Sequence, residues 1–478
     1  MAAHAGAQIN IIYIKQGCDD SSSRQRGSDI MGIIVTKFGG SSLADAGQFR
    51  KVRDILLANP ERRFVVPSAP GKRSKSDVKV TDMLYACHNA VVNSEPDEAR
   101  RNLDAAFEPV IKRYVDIADE LKLAIDLMPI LDRVKREIFE HRNSDYAASR
   151  GEYLNGHLLA DYMGWDFIDP ADFFMFSQQG QFMAELTNTI LAEELKKHEY
   201  AVIPGFYGAM PDGQVKTFSR GGSDITGAVV ARAADADKYE NWTDVSGFLM
   251  ADPRIVPNPR RINQLTYREL RELSYMGATV LHEDAVFPVR RAGIPTNIRN
   301  TNAPDDPGTM IVCDISSENE MSDTDTPITG IAGHTGFTIL SIEKAMMNSE
   351  LGVGRRVLSA LEEYGVCFEH LPTGIDTMCV VINDNDFNIH QEELLNRIRE
   401  TVEPDVLELK RNLAIIATVG RGMAGAFGTA AKLFTALAES RINVRMIDQG
   451  SSELNIIVGV DMKDFENAIR AIYRAFVE

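Results

Sequence analysis

Two stretches of this chain carry residues whose types and spacing could do chemistry together: Lys37-Phe38-Gly39-Gly40-Ser41-Ser42 and, far downstream, Phe218-Ser219-Arg220-Gly221-Gly222-Ser223-Asp224. The chemistry on offer is the capture of phosphate and carboxylate oxygens. A glycine pair lets backbone N–H groups approach an anion with no Cβ in the way. A helix that starts there adds its positive end. Lys37 supplies a full charge for phosphate oxygens, and Arg220 a planar fork that grips a carboxylate with two bonds. Asp224 reads either as a helix cap or as a group that orients lysines or a metal-bound nucleotide. A third loop, Trp242-Thr243-Asp244-Val245-Ser246-Gly247, ends another strand and runs on to Asp252-Pro253-Arg254.

Two further glycine motifs carry less. Gly71-Lys72-Arg73-Ser74 looks like the end of a P-loop, but Val66 stands where the upstream glycine belongs. It reads as a solvated loop whose lysines could screen a phosphate. Gly420-Arg421-Gly422-Met423-Ala424-Gly425 fits the dinucleotide fingerprint G-x-G-x-x-G, with Asp448 near the place of a ribose-binding acid. Only Gln449–Ser452 separate Asp448 from the next strand, Glu453–Val460. So short a link makes an antiparallel hairpin, whereas a dinucleotide-binding half needs a helical crossover. The spacing is a coincidence.

The elements that must hold the first set are strands alternating with helices. Ile33–Lys37 is a buried strand, followed by the glycine turn and the amphipathic helix Ala46–Leu57. Phe64–Val66 is a second strand; a basic loop, Pro70–Lys79, then leads to a helix near Thr81. Helical pattern fills about 98–142 and 146–162, and strands recur at Phe167–Ile168, Ala201–Ile203 and Tyr239–Thr243. The pattern implies an α/β domain, a mostly parallel sheet sandwiched by helices, over 31–315. Ser316–Asp325 reads as a polar, acidic linker. Beyond it the chain repeats itself. Ala360-Leu361, Glu363, Val366, Leu371, Gly374 and Val380-Val381 recur 76 positions later as Ala436-Leu437, Glu439, Ile442, Ile447, Gly450 and Ile456-Ile457. Two small α+β modules in tandem are expected, at 326–405 and 406–478, with room for strand exchange between them.

The 478 residues are too many for one core, and the composition, 44% hydrophobic and 25% charged, is that of a globular chain. A formal charge of −18 argues against a nucleic-acid or anionic-membrane partner. No apolar run approaches the roughly 20 residues of a membrane helix. Five widely spaced cysteines read as reduced, cytoplasmic thiols. Residues 1–30 are expected to be a disordered extension.

Lys37–Ser42, Ser219–Asp224, Trp242–Gly247 with Asp252-Pro253-Arg254, and Gly277–His282, in that order, resemble the amino-acid kinase fold and, within it, the aspartokinase family. The tandem modules resemble paired ACT (βαββαβ) domains and select aspartokinase of the monofunctional, lysine-sensitive type over related kinases. The resemblance covers about Ile33 to Glu478. It implies ATP-dependent phosphorylation of the side-chain carboxylate of L-aspartate, the first step toward lysine, threonine and methionine, under feedback control.

Site roles follow from the same resemblance. Lys37 would bridge the nucleotide phosphate and the attacked carboxylate, with Gly39, Gly40 and Ser41 on the phosphates and Asp224 organising the catalytic cations. Thr243, Asp244 and Arg254 would hold ATP. Glu152 would pair with the substrate ammonium and Arg220 with its α-carboxylate, with Ser68, Thr81, Phe206 and Ser223 lining the pocket. Mg²⁺ would be held mainly by the nucleotide phosphates, with no protein metal cage. The family usually has lysine where this chain has Thr279, which leaves a weak or dead amino-acid sensor, or a kinase for another small acid such as glutamate, as alternatives. For the effector, the first module offers Met347, Gly352, Val353 and Gly354 before its helix, then Glu369 and Asp376 around its turn. Two acids suit a second ammonium, so lysine is the leading effector and threonine the second. The modules are expected to join copies of the chain into a homo-oligomer.

Overall fold

Five consecutive buried residues, Ile34–Phe38, form strand β1, and such a run is stable only when both faces are covered. The structure is a computed structural model that describes residues 32–219, 221–277, 283–313 and 326–478. The expected extension at 1–30 and the acidic linker lie outside the described residues. The chain divides into two compact units, one reaching Ser246 and resuming over 284–314, the other made of 247–283 and the C-terminal part. Segment 247–283, expected within a 31–315 domain, groups with the C-terminal unit.

In the first unit, β1 is joined by β2 (Arg62–Pro67), β3 (Asp166–Phe167), β4 (Ala201–Val202), β5 (Tyr207–Ala209), β6 (Val215–Thr217) and β7 (Lys238–Thr243). Strand β8 (Gln264–Thr266) belongs to the second unit; β9 (Thr296–Asn300) and β10 (Thr309–Val312) return to the first. Within this unit the sheet runs β3-β4-β2-β1-β7-β9-β10, all parallel except β10 against β9, and β5-β6 is a separate hairpin. A buried ion pair spans β1: Arg62 on β2 reaches Glu240 on β7 at 2.9 Å, and Trp242 Nε1 donates to the same carboxylate at 3.0 Å. With its lone pairs so occupied, the buried charge fixes the register of three strands.

Helices of this unit are α1 (Ala46–Leu57), α2 (Val80–Val92), α3 (Pro96–Leu121), α4 (Leu127–His141), α5 (Ser144–Met163), α6 (Ala184–Leu195) and α7 (Gly222–Ala233). The continuous helical pattern expected over 98–142 is broken. Lys122 takes a left-handed conformation, φ 56°, and the Leu123 N–H donates to the Ala118 carbonyl, a C-terminal cap that ends α3. Leu103, Phe107, Val110 and Tyr114 of α3 then pack with Leu131, Val134 and Ile138 of α4 in one core.

In the second unit α8 (Tyr267–Tyr275) opens with a capping box between Thr266 and Glu269. Helix α9 (Glu283–Ala292) follows, lying almost wholly in the first unit. Then come β11 (Gly330–Glu343), α10 (Val353–Glu363), β12 (Phe368–His370), β13 (Thr377–Asn383), the one-turn helix α11 (Asp384–Phe387), α12 (Gln391–Val402) and β14 (Val406–Val419). The second copy adds α13 (Thr429–Glu439), β15 (Val444–Asp448), β16 (Asn455–Asp461) and α14 (Phe465–Val477). All six strands share one antiparallel sheet, β12-β13-β11-β14-β16-β15. Strand β11 pairs through its second half, Phe337–Glu343, with β13 and with the first half of β14; its first half, Gly330–Thr335, pairs with the second half of β14, which also pairs with β16. The two modules thus exchange strands, each lending half of a 14-residue strand to the other.

The G-x-G-x-x-G motif has a packing cause. A Cβ on Gly420 would lie 2.5 Å from the Pro327 carbonyl oxygen, and one on Gly422 2.9 Å from the same atom. Gly425 sits at φ +70°, where a side chain is strained, with open space around it. The glycines let the backbone leading into β11 cross the turn after β14, and β15–β16 is the antiparallel hairpin expected. Gly420→Ala should therefore lower unfolding free energy by about 1–3 kcal/mol, as overpacking against backbone does. Denaturant melts of the two proteins check this.

Candidate active site

Lys37 is the penultimate residue of β1, with Asn241 as its register neighbour on β7. Its ammonium lies 2.6 Å from Asp224 Oδ1, and Asn241 Nδ2 donates to the same oxygen at 2.8 Å. Asp224 stands in the first turn of α7, which begins behind the left-handed Gly221. Two parallel strands and one helix start therefore converge on one carboxylate oxygen. Asp224 Oδ2 is engaged by neither Lys37 nor Asn241. Sequence reasoning missed Asn241. Its signal was the alternation along β7, which puts position 241 on the face of Lys37.

The glycine turn works differently from expectation in one respect. The Gly39 N–H donates to the Trp242 carbonyl at 3.0 Å, so it is spent on the sheet. Gly40 is needed for a close approach: a Cβ there would come 2.9 Å from the Ala69 carbonyl, and one on Gly71 2.6 Å from the Gly40 backbone. Gly71 thus belongs to the site's wall. Its carbonyl accepts from the buried Arg113 at 2.9 Å, and Arg113 also holds Asp77 at 2.7 Å. Burial opposes ionisation of Asp77, but hydrogen bonds from Arg73 and the charge of Arg113 outweigh it and bring its pKa to about 2. This clamp on the Gly71–Asp77 loop carries no motif and was not foreseen.

Glu152 comes to the site from α5. Gly151 and Gly156 let that helix press close: a Cβ on Gly151 would meet the Ala69 Cβ at 2.8 Å, and one on Gly156 the Pro204 ring at 2.5 Å. Glu152 is 6% exposed, and its Oε2 has no hydrogen-bond partner among the described residues. Burial pushes its pKa up to about 7, against the pull of the Ala69 amide, its own amide, Lys37 and Arg150. A buried, half-unpartnered carboxylate is costly unless a cation arrives.

The remaining residues line the strand ends. The Ser68 N–H donates to the Phe38 carbonyl, and Asn155 Nδ2 to the Ser68 carbonyl at 2.6 Å. Phe206 takes the left-handed φ of 84°, held by the Thr226 hydroxyl on its N–H. Gly205 backs onto Ser223, where a Cβ would lie 2.6 Å from the serine Oγ. A strained non-glycine residue kept this way points to a constrained site. Thr243 and Asp244 follow β7; the Thr243 hydroxyl donates to Asp244, and the Thr243 carbonyl accepts from the Thr301 N–H. Thr81, half-buried, lies in the first turn of α2.

Arg254 lies in the second unit, exposed and paired with Asp252 at 2.6 Å, which raises its pKa. Arg220 and Thr279 fall outside the described residues, as does His282. Lys37, Ser68, Glu152, Phe206, Ser223, Asp224 and Thr243 are brought together at the carboxyl ends of β1, β2, β4 and β7 or on the helices beside them, where open α/β sheets place ligands.

Comparison with known proteins fits this geometry. The model of the amino acid kinase family matches residues 32–300, and that of an ACT domain residues 416–476. Aspartokinase 3 of Bacillus subtilis is 38% identical over 462 residues, covering 92% of this chain and 98% of that one. The chain belongs to the aspartokinase family. Family members are kinases, and this chain is an enzyme of that kind. A crystal structure of an aspartate kinase from Clostridium acetobutylicum, described as allosteric, is 50% identical with a TM-score of 0.84, covering 93% of this chain and 99% of that one. Aspartokinase III of E. coli, crystallised with aspartate and ADP, shares the fold at 22% identity and a TM-score of 0.69, covering 93% of this chain and all of that one. Among the described residues no helix is long and apolar enough to cross a membrane.

Proposed function

We propose that this site transfers the γ-phosphoryl group of ATP to the side-chain carboxylate of L-aspartate, giving ADP and 4-phospho-L-aspartate. The observation that carries this reading is the pairing of Lys37 with Asp224 beside a buried carboxylate, Glu152, that has one oxygen to spare. The aspartate carboxylate is already ionised at neutral pH, so no base is needed. One of its oxygens forms a bond to the γ-phosphorus while the bond from that phosphorus to the ADP oxygen breaks. Such a transfer asks the protein for position and positive charge. Lys37 supplies both, swinging its ammonium between Asp224 and the phosphoryl oxygens. Gly40 and Ser41 present amides to the phosphates, and Thr243 and Asp244 face the nucleotide, with Arg254 as a further phosphate partner. Glu152 takes the substrate ammonium on its spare oxygen. Arg220 takes the α-carboxylate, with Ser68, Thr81, Phe206 and Ser223 around the carbon chain. Arg220→Ala should raise the aspartate KM roughly 10- to 100-fold with a smaller change in kcat, as loss of a charge-assisted pair does. Initial rates over a range of aspartate concentrations decide it; an unchanged KM would move the α-carboxylate elsewhere.

Mg²⁺ belongs to this reading as a cation held by the nucleotide phosphates, where it neutralises charge that builds during transfer. Among the described residues no group of three His, Cys, Asp or Glu side chains stands ready for a metal, and the free oxygen of Asp224 is the donor that fits one held mainly by phosphate. A cytoplasmic location goes with this reading, since reduced thiols and ATP are both found there.

The effector is read from the first module. The turn around Met347 and the turn before β13 are tied by two backbone bonds, Lys344 N–H to the Asp376 carbonyl and Asn348 N–H to the Ile375 carbonyl. Gly352, at φ 85°, and the buried Val353 start α10 beside them, and a Cβ on Gly354 would meet nothing within 4 Å. Asp376 is exposed, whereas Glu369 is half-buried and accepts from the Tyr275 hydroxyl. We take lysine as the effector, with threonine second, and a homo-oligomer formed through the modules, whose edge strands β12 and β15 are open. Added L-lysine should inhibit the wild type, and the Glu369→Ala, Asp376→Ala double variant should need at least tenfold more, roughly the worth of one charge-assisted bond. Equal inhibition of both would place the effector elsewhere.

A further inference from the structure

The geometry points to a second anion site, lying wholly in the C-terminal unit, that takes a small molecule carrying phosphate or carboxylate charge. A cavity of about 370 Å³ opens where the lead-in to β11, Thr326–Thr329, crosses the Arg421–Ala424 turn beside the segment Arg260–Gln264. Three arginines line it, Arg260, Arg261 and Arg421, and among the described residues no acidic side chain does. In a chain of net charge −18 this is an unusual concentration of positive charge.

The three cations are not equivalent. Arg421 already has a counterion. Its guanidinium lies 3.3 Å from Glu269 Oε2 and its N–H donates to Glu269 Oε1. Glu269 is fully buried, and its oxygens are filled further by the Thr266 hydroxyl and N–H and by the Thr329 hydroxyl. Arg260 and Arg261 form no ion pair with any described residue. Arg261 donates one bond, to Asn263 Oδ1 at 3.3 Å, while its Nε is buried and unpartnered. A buried guanidinium N–H without an acceptor is unfavourable, and an oxyanion in the cavity would satisfy it.

The backbone beneath these side chains is fixed. The Arg260 N–H donates to the Tyr473 oxygen at 2.8 Å, its carbonyl accepts from the Met250 N–H at 2.9 Å, and the Ile262 N–H donates to the Phe248 carbonyl. Arg261 also bridges Leu249 in antiparallel fashion. Two guanidinia with no counterion among the described residues, on an anchored segment, suit an acceptor with two or more negative oxygens, because each fork takes a pair of them. The volume exceeds that of a lone oxyanion and leaves room for an organic body against Met250, Ile262 and Ile328. A ligand there would tie the 260–264 segment to the crossing point of the exchanged strands, and so would bear on how the modules are held.

The test is equilibrium dialysis of the whole chain at fixed ionic strength, with saturating ADP, Mg²⁺ and aspartate so that the kinase site is filled. Labelled inorganic phosphate is one probe and labelled succinate the other. Wild type should bind one equivalent of at least one probe per chain. Phosphate alone would mark a phosphorylated ligand, succinate alone a dicarboxylate, and both the shared oxyanion chemistry. Arg261→Gln should weaken that binding at least tenfold and leave kinase activity without added anion unchanged. Arg260→Gln, at an exposed position, gives the same result if the first variant folds poorly. Failure of both probes to bind wild type, or binding of undiminished affinity in both variants, would overturn the site.

Discussion

Lys37→Ala is expected to lower kcat and kcat/KM together by about three orders of magnitude, the scale on which loss of a transition-state cation is felt. Lys37 lies near the end of β1 with its ammonium 2.6 Å from Asp224, in a pocket where it is 8% exposed. The charge is therefore available to phosphoryl oxygens and poorly screened by water. The fold should survive, because Asn241 still donates to Asp224 Oδ1 at 2.8 Å and β1 keeps its parallel partners on both sides. Single-turnover rates with MgATP and saturating aspartate, read beside the unfolding midpoint, separate chemistry from stability. A kcat within a few fold of wild type would remove Lys37 from the mechanism.

Glu152→Gln should have opposite effects on function and stability. Glu152 ionises only near pH 7 in the free enzyme because burial holds its pKa up. The carboxylate form is the one that binds an ammonium. So kcat/KM for aspartate should fall about tenfold per pH unit below about 7, while kcat at saturating aspartate breaks at a lower pH, since bound ammonium favours the ionised form. The variant should lose the break and raise the aspartate KM by roughly two orders of magnitude. The stability sign runs the other way. A carboxyl whose folded pKa lies above its ordinary 4.5 binds more protons folded than unfolded, so stability falls as pH rises from about 4.5 to about 7 and stays low above that. Glutamine escapes this cost, and at pH 8 the ligand-free variant should be more stable by roughly 3 kcal/mol. Melts at pH 5 and pH 8 check it: the gap between the two proteins should open with rising pH. A gap of constant size would mean that Glu152 titrates normally.

Much of this was legible in the sequence, for reasons that lie in particular residues. A buried β-branched run before Gly39-Gly40 can be little else than a parallel strand entering an anion loop, and the 76-residue repeat marks the paired modules in the sequence itself. The short link after Asp448 rightly ruled out a dinucleotide half, as the β15–β16 hairpin shows. What stayed hidden depends on contacts between distant positions. Gly71 looked like a failed phosphate loop, yet its missing Cβ is what lets it lie on Gly40. Arg113 and Asp77 lie 36 residues apart and have no local signature. Lys122 ended a helix that periodicity would have carried on, because its left-handed turn follows from a cap and not from the apolar pattern. The place of 247–283 in the C-terminal unit is likewise set by packing: the Met250 carbonyl accepts from Ile331, and Arg260 is anchored to Tyr473.

The most direct measurement is acyl-phosphate formation by the purified chain with MgATP, offered L-aspartate, L-glutamate, N-acetylglutamate or UMP in parallel, with ADP release followed in the same samples. The account predicts hydroxylamine-trappable product and stoichiometric ADP with aspartate, at a kcat/KM at least a hundredfold above that of any other acceptor. This is the discrimination expected of a site that pairs both charges of its substrate. No aspartate-dependent ADP release, or a higher kcat/KM with another acceptor, would contradict it.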